Sequence, residues 1–350
     1  MSKKQKFEII VAIGQLLCYN IPMNNLYYAT FERGIKDAVK MFISKTDKNS
    51  RVKKLNDDSV LFFGGESFKQ NGGLFKSIYV VLDSVKKTGA GAVNAEMKHI
   101  LERKDLKIFF PKEISSFKFV VSSEYENSNV DAKLKAATEI ALRRITKRAI
   151  SFNASNAELA ILAKKDGDVL FMKRVYLPAD LTKFEKSGEL SYDMAFLMNF
   201  LSEPCTSETV VDPFAESGKL CYIRALCFKK ATVIAACADE ENLDALKKQA
   251  KHLKDKHFSV MNYDFLDEKF PIRYIDKVVA IVPEYVNFAN YSTNELAKGM
   301  FEKAAALNVK IVVVLSARGM NVSRFAGEKY EEVLSLQTQK YEISKFILKK

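Results

Sequence analysis

The chain has 350 residues, 48% of them hydrophobic and 25 of them Phe, with only 14 Gly and 7 Pro; this excludes a disordered or low-complexity protein and predicts two or three packed units. A formal charge of +12 gives the surface a positive field that attracts polyanions in a salt-dependent way, and a Lys-rich surface with no such partner is the competing reading. The five cysteines (Cys18, Cys205, Cys221, Cys227, Cys237) are odd in number and form no C-x-x-C, which suits a reducing cytosol, and no Cys/His cluster has metal-ligand spacing, so no metal site is predicted.

Residues 1–22 read as an N-terminal extension, either an appended strand or a mis-assigned start. The basic opening and apolar run to Leu17 imitate a signal peptide, but Glu8 interrupts the run and no small-residue cleavage site follows. No stretch of about 18 apolar residues exists, so no membrane span is predicted. From Leu26 the pattern gives strand Leu26–Thr30, helix Gly34–Ile43, strand Ser59–Phe63 and helix Leu74–Lys86, with a further helix around Ala95–Arg103. Next come a strand at Phe117–Ser122 and a helix from Val130 to Arg148. On that helix Leu134, Ala137, Ile140, Ala141 and Ile145 recur at helical spacing. The same helix carries Lys133, Lys135, Arg143, Arg144, Lys147 and Arg148, which is either a cationic face for phosphates or an ordinary solvated face. Strands Ala157–Ala163 and Val169–Leu177 are joined by Asp166-Gly167, a hairpin turn.

A polar connection, Pro178–Ser187, precedes a change of rhythm. A helix with Leu190, Met194, Leu197, Met198 and Leu201 on its apolar side leads into alternating strands and helices. These are strand Thr209–Val211, helix Ser217–Phe228, strand Thr232–Cys237, helix Glu240–Leu253, strand Phe258–Met261, strand Lys277–Val282, helix Thr293–Ala306 and strand Lys310–Leu315. His252 and His257 read as covering the end of one of these helices. Alternation predicts a parallel sheet covered on both faces, with ligands bound outside the carboxyl ends of its strands. Glu332–Gln337 and Tyr341–Leu348 then read as a final antiparallel hairpin at one edge.

The turn after the first of these strands reads Asp212-Pro213-Phe214-Ala215-Glu216-Ser217-Gly218. With the helix and the segment Val233–Ala250 behind it, this resembles the opening motifs of S-adenosylmethionine-dependent RNA methyltransferases that carry a THUMP domain, of the guanine-N2 type. Upstream, Lys186-Ser187-Gly188-Glu189-Leu190 and Leu201-Ser202-Glu203-Pro204 are similar to the K-G-E-L and L-S-E-P pieces of that family. The resemblance implies a class I (Rossmann-like) methyltransferase domain over 188–350, a seven-stranded α/β sheet with an antiparallel C-terminal edge. Ahead of it a ferredoxin-like α+β unit over 23–110 and a THUMP-like RNA-binding unit over 111–180 are implied. It also implies S-adenosylmethionine as cofactor, structured RNA (tRNA or rRNA) as partner and a cytoplasmic setting.

Carried onto this chain, Asp212, Phe214, Ser217 and Gly218 stand in the cofactor loop, and Asp264 stands where an acid approaches the adenine amino group. Three positions depart. Glu216 replaces a Gly, Cys237 replaces the acid that bonds the ribose hydroxyls, with Asp239 two residues on as a substitute, and the fourth-strand N-P-P-Y motif is reduced to Pro283 and Tyr285 in Ala280-Ile281-Val282-Pro283-Glu284-Tyr285. Two readings follow: an active enzyme forming N2-methylguanine with Glu216 turned outward and Tyr285 stacked on the base, or a catalytically silent relative acting as an RNA-binding or assembly factor. A phosphate-loop reading of Gly218-Lys219 fails, because the first Gly and the final hydroxyl of a Walker loop are missing.

Overall fold

The computed structural model describes residues 25–69, 72–126, 128–153, 157–176, 190–228, 231–253, 257–283 and 291–349. The N-terminal extension, the 178–187 connection, the Lys186–Glu189 part of the K-G-E-L piece and Tyr285 lie outside them. The chain divides into two compact units, one holding most of the first 177 residues and the other residues 178–350 together with 31–39 and 73–76.

The first unit is built on one mixed sheet. Strands β1 (Asn25–Thr30), β2 (Arg51–Leu55), β3 (Ser59–Gly64), β4 (Ser77–Lys86), β5 (Ser116–Ser123), β6 (Ala149–Ile150), β7 (Glu158–Ala163) and β8 (Asp168–Tyr176) lie in the order β2-β3-β1-β4-β8-β7-β5-β6. Among the described residues three α-helices accompany them, α1 (Lys36–Thr46), α2 (Ala92–Glu102) and α3 (Ala132–Thr146). Gly167, at φ 86°, makes the β7–β8 hairpin turn as the Asp-Gly pair predicts.

One expected element is overturned: from Ser77 to Lys86 the chain is a strand, not a helix. Ile78, Tyr79, Val80, Val81 and Val85 are β-branched or aromatic, and such side chains fit a pleated surface better than a helical turn. This strand pairs with β1 on one side and β8 on the other, so it joins residues 25–86 and 116–176 in a single sheet.

The packed side of α3 also differs from the expectation. Leu134, Thr138, Leu142 and Ile145 face the core, while Ile140 is 58% exposed and Ala137 is exposed. Thr138 is tolerated inside because its hydroxyl donates back to the Leu134 carbonyl, 2.8 Å away.

In the second unit, α4 (Tyr192–Leu201) is buried on every side, as its nearly continuous apolar sequence requires. It is followed by β9 (Thr209–Asp212), α5 (Lys219–Cys227), β10 (Thr232–Ala236), α6 (Glu240–Leu253), β11 (Phe258–Met261), β12 (Lys277–Ile281), α7 (Thr293–Ala306), β13 (Ile311–Ala317), β14 (Tyr330–Gln337) and β15 (Tyr341–Leu348). The sheet order is β11-β10-β9-β12-β13-β15-β14. Its first five strands are parallel, and β15 enters antiparallel beside β13 with β14 at the edge, so the predicted terminal hairpin is present. The order reverses between β9 and β12, which makes that point the topological switch of an open α/β sheet.

A buried ionic cluster locks the opposite, amino-terminal end of this sheet. Glu208 is paired with Arg224, and its second oxygen lies 2.5 Å from Lys277 Nζ; all three side chains are buried. Arg224 also donates to the Asn199 carbonyl at 3.0 Å and to Ser202 Oγ at 2.8 Å. The Leu201-Ser202-Glu203-Pro204 piece belongs to this cluster: the Glu203 carbonyl accepts from Lys277, and its carboxylate accepts from Lys345 at 2.6 Å.

Candidate functional site

The residues picked out at the ends of the parallel strands converge because β11, β10, β9 and β12 are neighbours in that order. Asp212 ends β9, Cys237 and Asp239 follow β10, Asp264 follows β11 and Pro283 follows β12. The β9 turn is held to the sheet by the Ala215 amide, which donates to the Ala236 carbonyl at 3.0 Å, and Phe214 is buried beneath it. Gly218, at φ 68°, turns the chain into α5, a backbone state that favours glycine. Lys219 points inward and donates to the Leu190 carbonyl at 2.6 Å, so the Gly-Lys pair is part of the helix packing.

Acidic groups dominate the crevice. Asp212 is 5% exposed, with one oxygen 3.3 Å from the Phe214 amide. Burial pushes its carboxyl up to about 7; the Phe214 amide pulls the other way and the charge of Glu216 adds to the rise. Glu216 is exposed. Its carboxyl is also raised, first by partial desolvation against the loop and then by Asp239. Burial is likewise the main cause that raises the Cys237 thiol, whose Sγ lies 3.2 Å from the Asp239 carbonyl. Asp239 itself accepts from Asn242 Nδ2 at 2.7 Å, and Asp264 accepts the Leu266 amide at 2.8 Å. Glu216 acts on Asp212 and Asp239 acts on Glu216, so the three acids lie close together; such a group suits a ligand that brings hydroxyl and amino donors and a positive charge and opposes one whose only charge is negative.

At the fourth strand the picture is apolar. Ala280 and Val282 are buried, and the Val282 amide is engaged by the Leu315 carbonyl at 2.9 Å. The Pro283 carbonyl accepts Thr293 Oγ1 at 3.0 Å. No side chain from Ala280 to Pro283 can accept a hydrogen bond from an amine.

A second candidate surface lies within the first unit. The last turn of α3 brings Arg143, Arg144, Lys147 and Arg148 around the exposed Ile140, lining an open groove of about 430 Å³. Lys147 caps the helix in a left-handed conformation at φ 54°, and its amide returns to the Arg143 carbonyl at 2.9 Å. Lys133 lies on the same helical side but at the far end, roughly 15 Å from Arg143 by helix rise. Lys135 is half-buried near the packed side. The structure thus gathers four of the six predicted cations. Ile140 belongs to the same groove, although its helical spacing predicted a core position.

No family model matches the chain, and no curated protein matches it in sequence. Its fold is nonetheless that of class I methyltransferases, an open α/β sheet preceded by a mixed α+β unit. TrmN from Thermus thermophilus superposes with a TM-score of 0.71 at 15% identity, covering 93% of this chain and 99% of that one. SMU.472, named as a methyltransferase and solved with SAH, gives 0.66 at 15% identity over 94% and 100%. A Listeria monocytogenes protein named as an N6-adenine-specific DNA methylase gives 0.66 at 15% identity over 92% and 96%. Among the described residues, no helix is long and apolar enough to cross a membrane.

Proposed function

We propose that this protein is an RNA-binding member of the S-adenosylmethionine-dependent RNA methyltransferase class, with the methyl donor bound at the β9 turn and structured RNA, tRNA or rRNA, held at the cationic end of α3. The observation that carries the reading is the turn itself: a buried acid, Asp212, followed by the left-handed Gly218, at the switch point of a sheet with this strand order. The donor, when bound, supplies a methyl group on a sulfonium. Asp212, Asp239 and Asp264 provide acceptors for its amino and hydroxyl groups, and the acidic lining favours the positive sulfur. Glu216 in the turn repels the donor's carboxylate. Guanine N2 is the acceptor that the sequence motifs suggest, and Pro283 with Tyr285 are the residues proposed to meet the base.

Calorimetric titration of the purified chain with S-adenosylmethionine tests the cofactor half, and transfer of a labelled methyl group into total tRNA or rRNA tests the activity. Binding followed by transfer to guanine N2 is the expected result; absence of any donor binding ends the proposal. A second reading, a catalytically silent RNA-binding or assembly factor, is favoured by the apolar Ala280-Ile281-Val282 run, with Ala280 and Val282 buried, at the place where an amine acceptor is expected. Its signature is RNA binding without transfer.

A further inference from the structure

Neither proposed site uses Asp83, Glu96 or His99, which meet inside the first unit. Glu96 and His99 are three residues apart on α2 and share a side of that helix. Asp83 reaches them because of a bulge in β4. The ladder with β8 steps from the pair Val81–Met172 to the pair Asp83–Phe171, leaving Leu82 unmatched. Val81 and Met172 belong to the apolar cluster on one face of the sheet, whereas Phe171 belongs to the cluster containing Ala92, Val93 and Met97 of α2. In a regular strand Asp83 would fall on the face of Val81; the bulge turns it toward α2.

Glu96 is fully buried, and neither of its carboxylate oxygens has a hydrogen-bond partner among the described residues. His99 Nδ1 is likewise without a hydrogen bond. That nitrogen lies 3.4 Å from Asp83 Oδ2 and 3.8 Å from Glu96 Oε2, and one ligand-capable atom of each residue lies within 4.8 Å of the others. Donors bound tetrahedrally to one cation at about 2.0–2.2 Å stand roughly 3.4 Å apart. A buried carboxylate with no donor is costly, and a cation is the partner that this geometry accommodates.

Arg103 gives Glu96 no hydrogen bond, although its charge favours the Glu96 carboxylate. Its guanidinium donates to Asp83 Oδ2 at 2.5 Å and is itself held by both oxygens of Asp105, at 3.0 and 2.9 Å. The bond falls on the Asp83 oxygen that also faces His99, so Arg103 fixes the carboxylate's direction and leaves Oδ1 without that donor.

We propose that Asp83, Glu96 and His99 bind a divalent transition-metal cation of the Zn²⁺ class, clamping α2 to the bulge in β4, with Arg103 as a positioning residue. One imidazole and two carboxylates suit such an ion. His99 is the most exposed of the three, with 39% of its side chain accessible, so the remaining coordination position opens to water on that side.

The test is titration of the chelator-treated full chain with ZnCl₂ by calorimetry, with Co²⁺ as a spectroscopic probe. The expected result is one saturable equivalent per chain, visible absorption bands of four-coordinate Co²⁺, and a higher melting temperature with Zn²⁺. Glu96→Gln and His99→Asn should each weaken Zn²⁺ binding at least tenfold, and Arg103→Lys by a smaller factor. Melting of each variant without metal shows whether it is folded; Glu96→Gln keeps the shape, and His99→Asn alters a partly exposed side chain. No saturable Zn²⁺ binding by the wild-type chain overturns the proposal. So does unchanged binding by both ligand variants, which would put the ion elsewhere, for example at Asp212, Glu216 and Asp239.

Discussion

Asp212 carries the clearest electrostatic signature in the second unit. Its carboxyl is raised to about 7 by burial, against roughly 3.9 in an unfolded chain. Below pH 4 both states hold the proton and the residue adds no pH dependence. As pH rises from about 4 to 7 the unfolded chain loses its proton and the folded one keeps it, so stability falls; above 7 the loss levels off, at up to about 4 kcal/mol. Asp212→Asn should therefore match the wild type at pH 4 and exceed it in stability at pH 8, as read by urea midpoints; equal midpoints at pH 8 would contradict the assignment. Glu216 offers a separate test, since its carboxylate in the turn opposes the donor's own carboxylate. Glu216→Gly should tighten S-adenosylmethionine binding several-fold in calorimetry, and weaker binding would mean that Glu216 is a contact rather than an obstacle. The turn itself was legible as a strand-to-helix connection, and Asp212 and Gly218 within it came from the resemblance of the Asp212–Gly218 segment to the methyltransferase motif; the left-handed backbone of Gly218 accounts for a glycine there. The exposure of Glu216 was one of two alternatives left open, because side-chain direction in a turn depends on backbone angles that residue types do not fix.

Individual elements show why some of the fold could be read from residue types and some could not. The parallel half reads correctly because its strands are short apolar runs, most of them set between helices with a clear polar side, as in α6 with Asp244 near its start and Lys247, Lys248 and Lys251 toward its end. The segment Ser77–Lys86 misleads because a half-buried central strand with a bulge breaks the period-two alternation, and its β-branched content is then the better guide. On α3 the packed side is shared by Thr138, which no count of apolar residues would include, and this displaces Ala137 and Ile140 to the surface. The ionic cluster at the foot of β9 and β12 was invisible to spacing, since Glu208, Arg224 and Lys277 are far apart in sequence. It predicts an order of effects. Glu208→Gln leaves Arg224 and Lys277 buried without their shared counter-charge and should cost about 3–5 kcal/mol. Arg224→Met leaves Glu208 paired with Lys277 and should cost less. Denaturant unfolding of the two variants decides it, and the reverse order would show that packing of the Arg224 stem outweighs the charge.

At the scale of the whole molecule, the +12 charge and the α3 groove make different demands on a nucleic-acid partner. A diffuse positive field attracts any polyanion and is screened over about 10 Å at 0.1 M salt. A groove that holds phosphates against Arg143, Arg144 and Lys147, with Ile140 as an apolar platform between them, releases a definite number of counterions. Charge reversal at these three cations removes two charges at each position and so leaves about half of the net +12 in place. If the field alone binds RNA, the triple Glu variant should lose affinity modestly, with a salt dependence close to that of the wild type. If the groove is the RNA-binding surface, the slope of log affinity against log salt should become shallower by about 2–3, one unit for each phosphate that is no longer neutralised. The same variant should bind S-adenosylmethionine as the wild type does, because the substituted residues belong to the first unit and the β9 turn to the second. Binding of a folded tRNA transcript measured from 50 to 300 mM salt separates the two cases: an unchanged slope would reduce α3 to a solvated face and move the RNA-binding surface elsewhere on the chain.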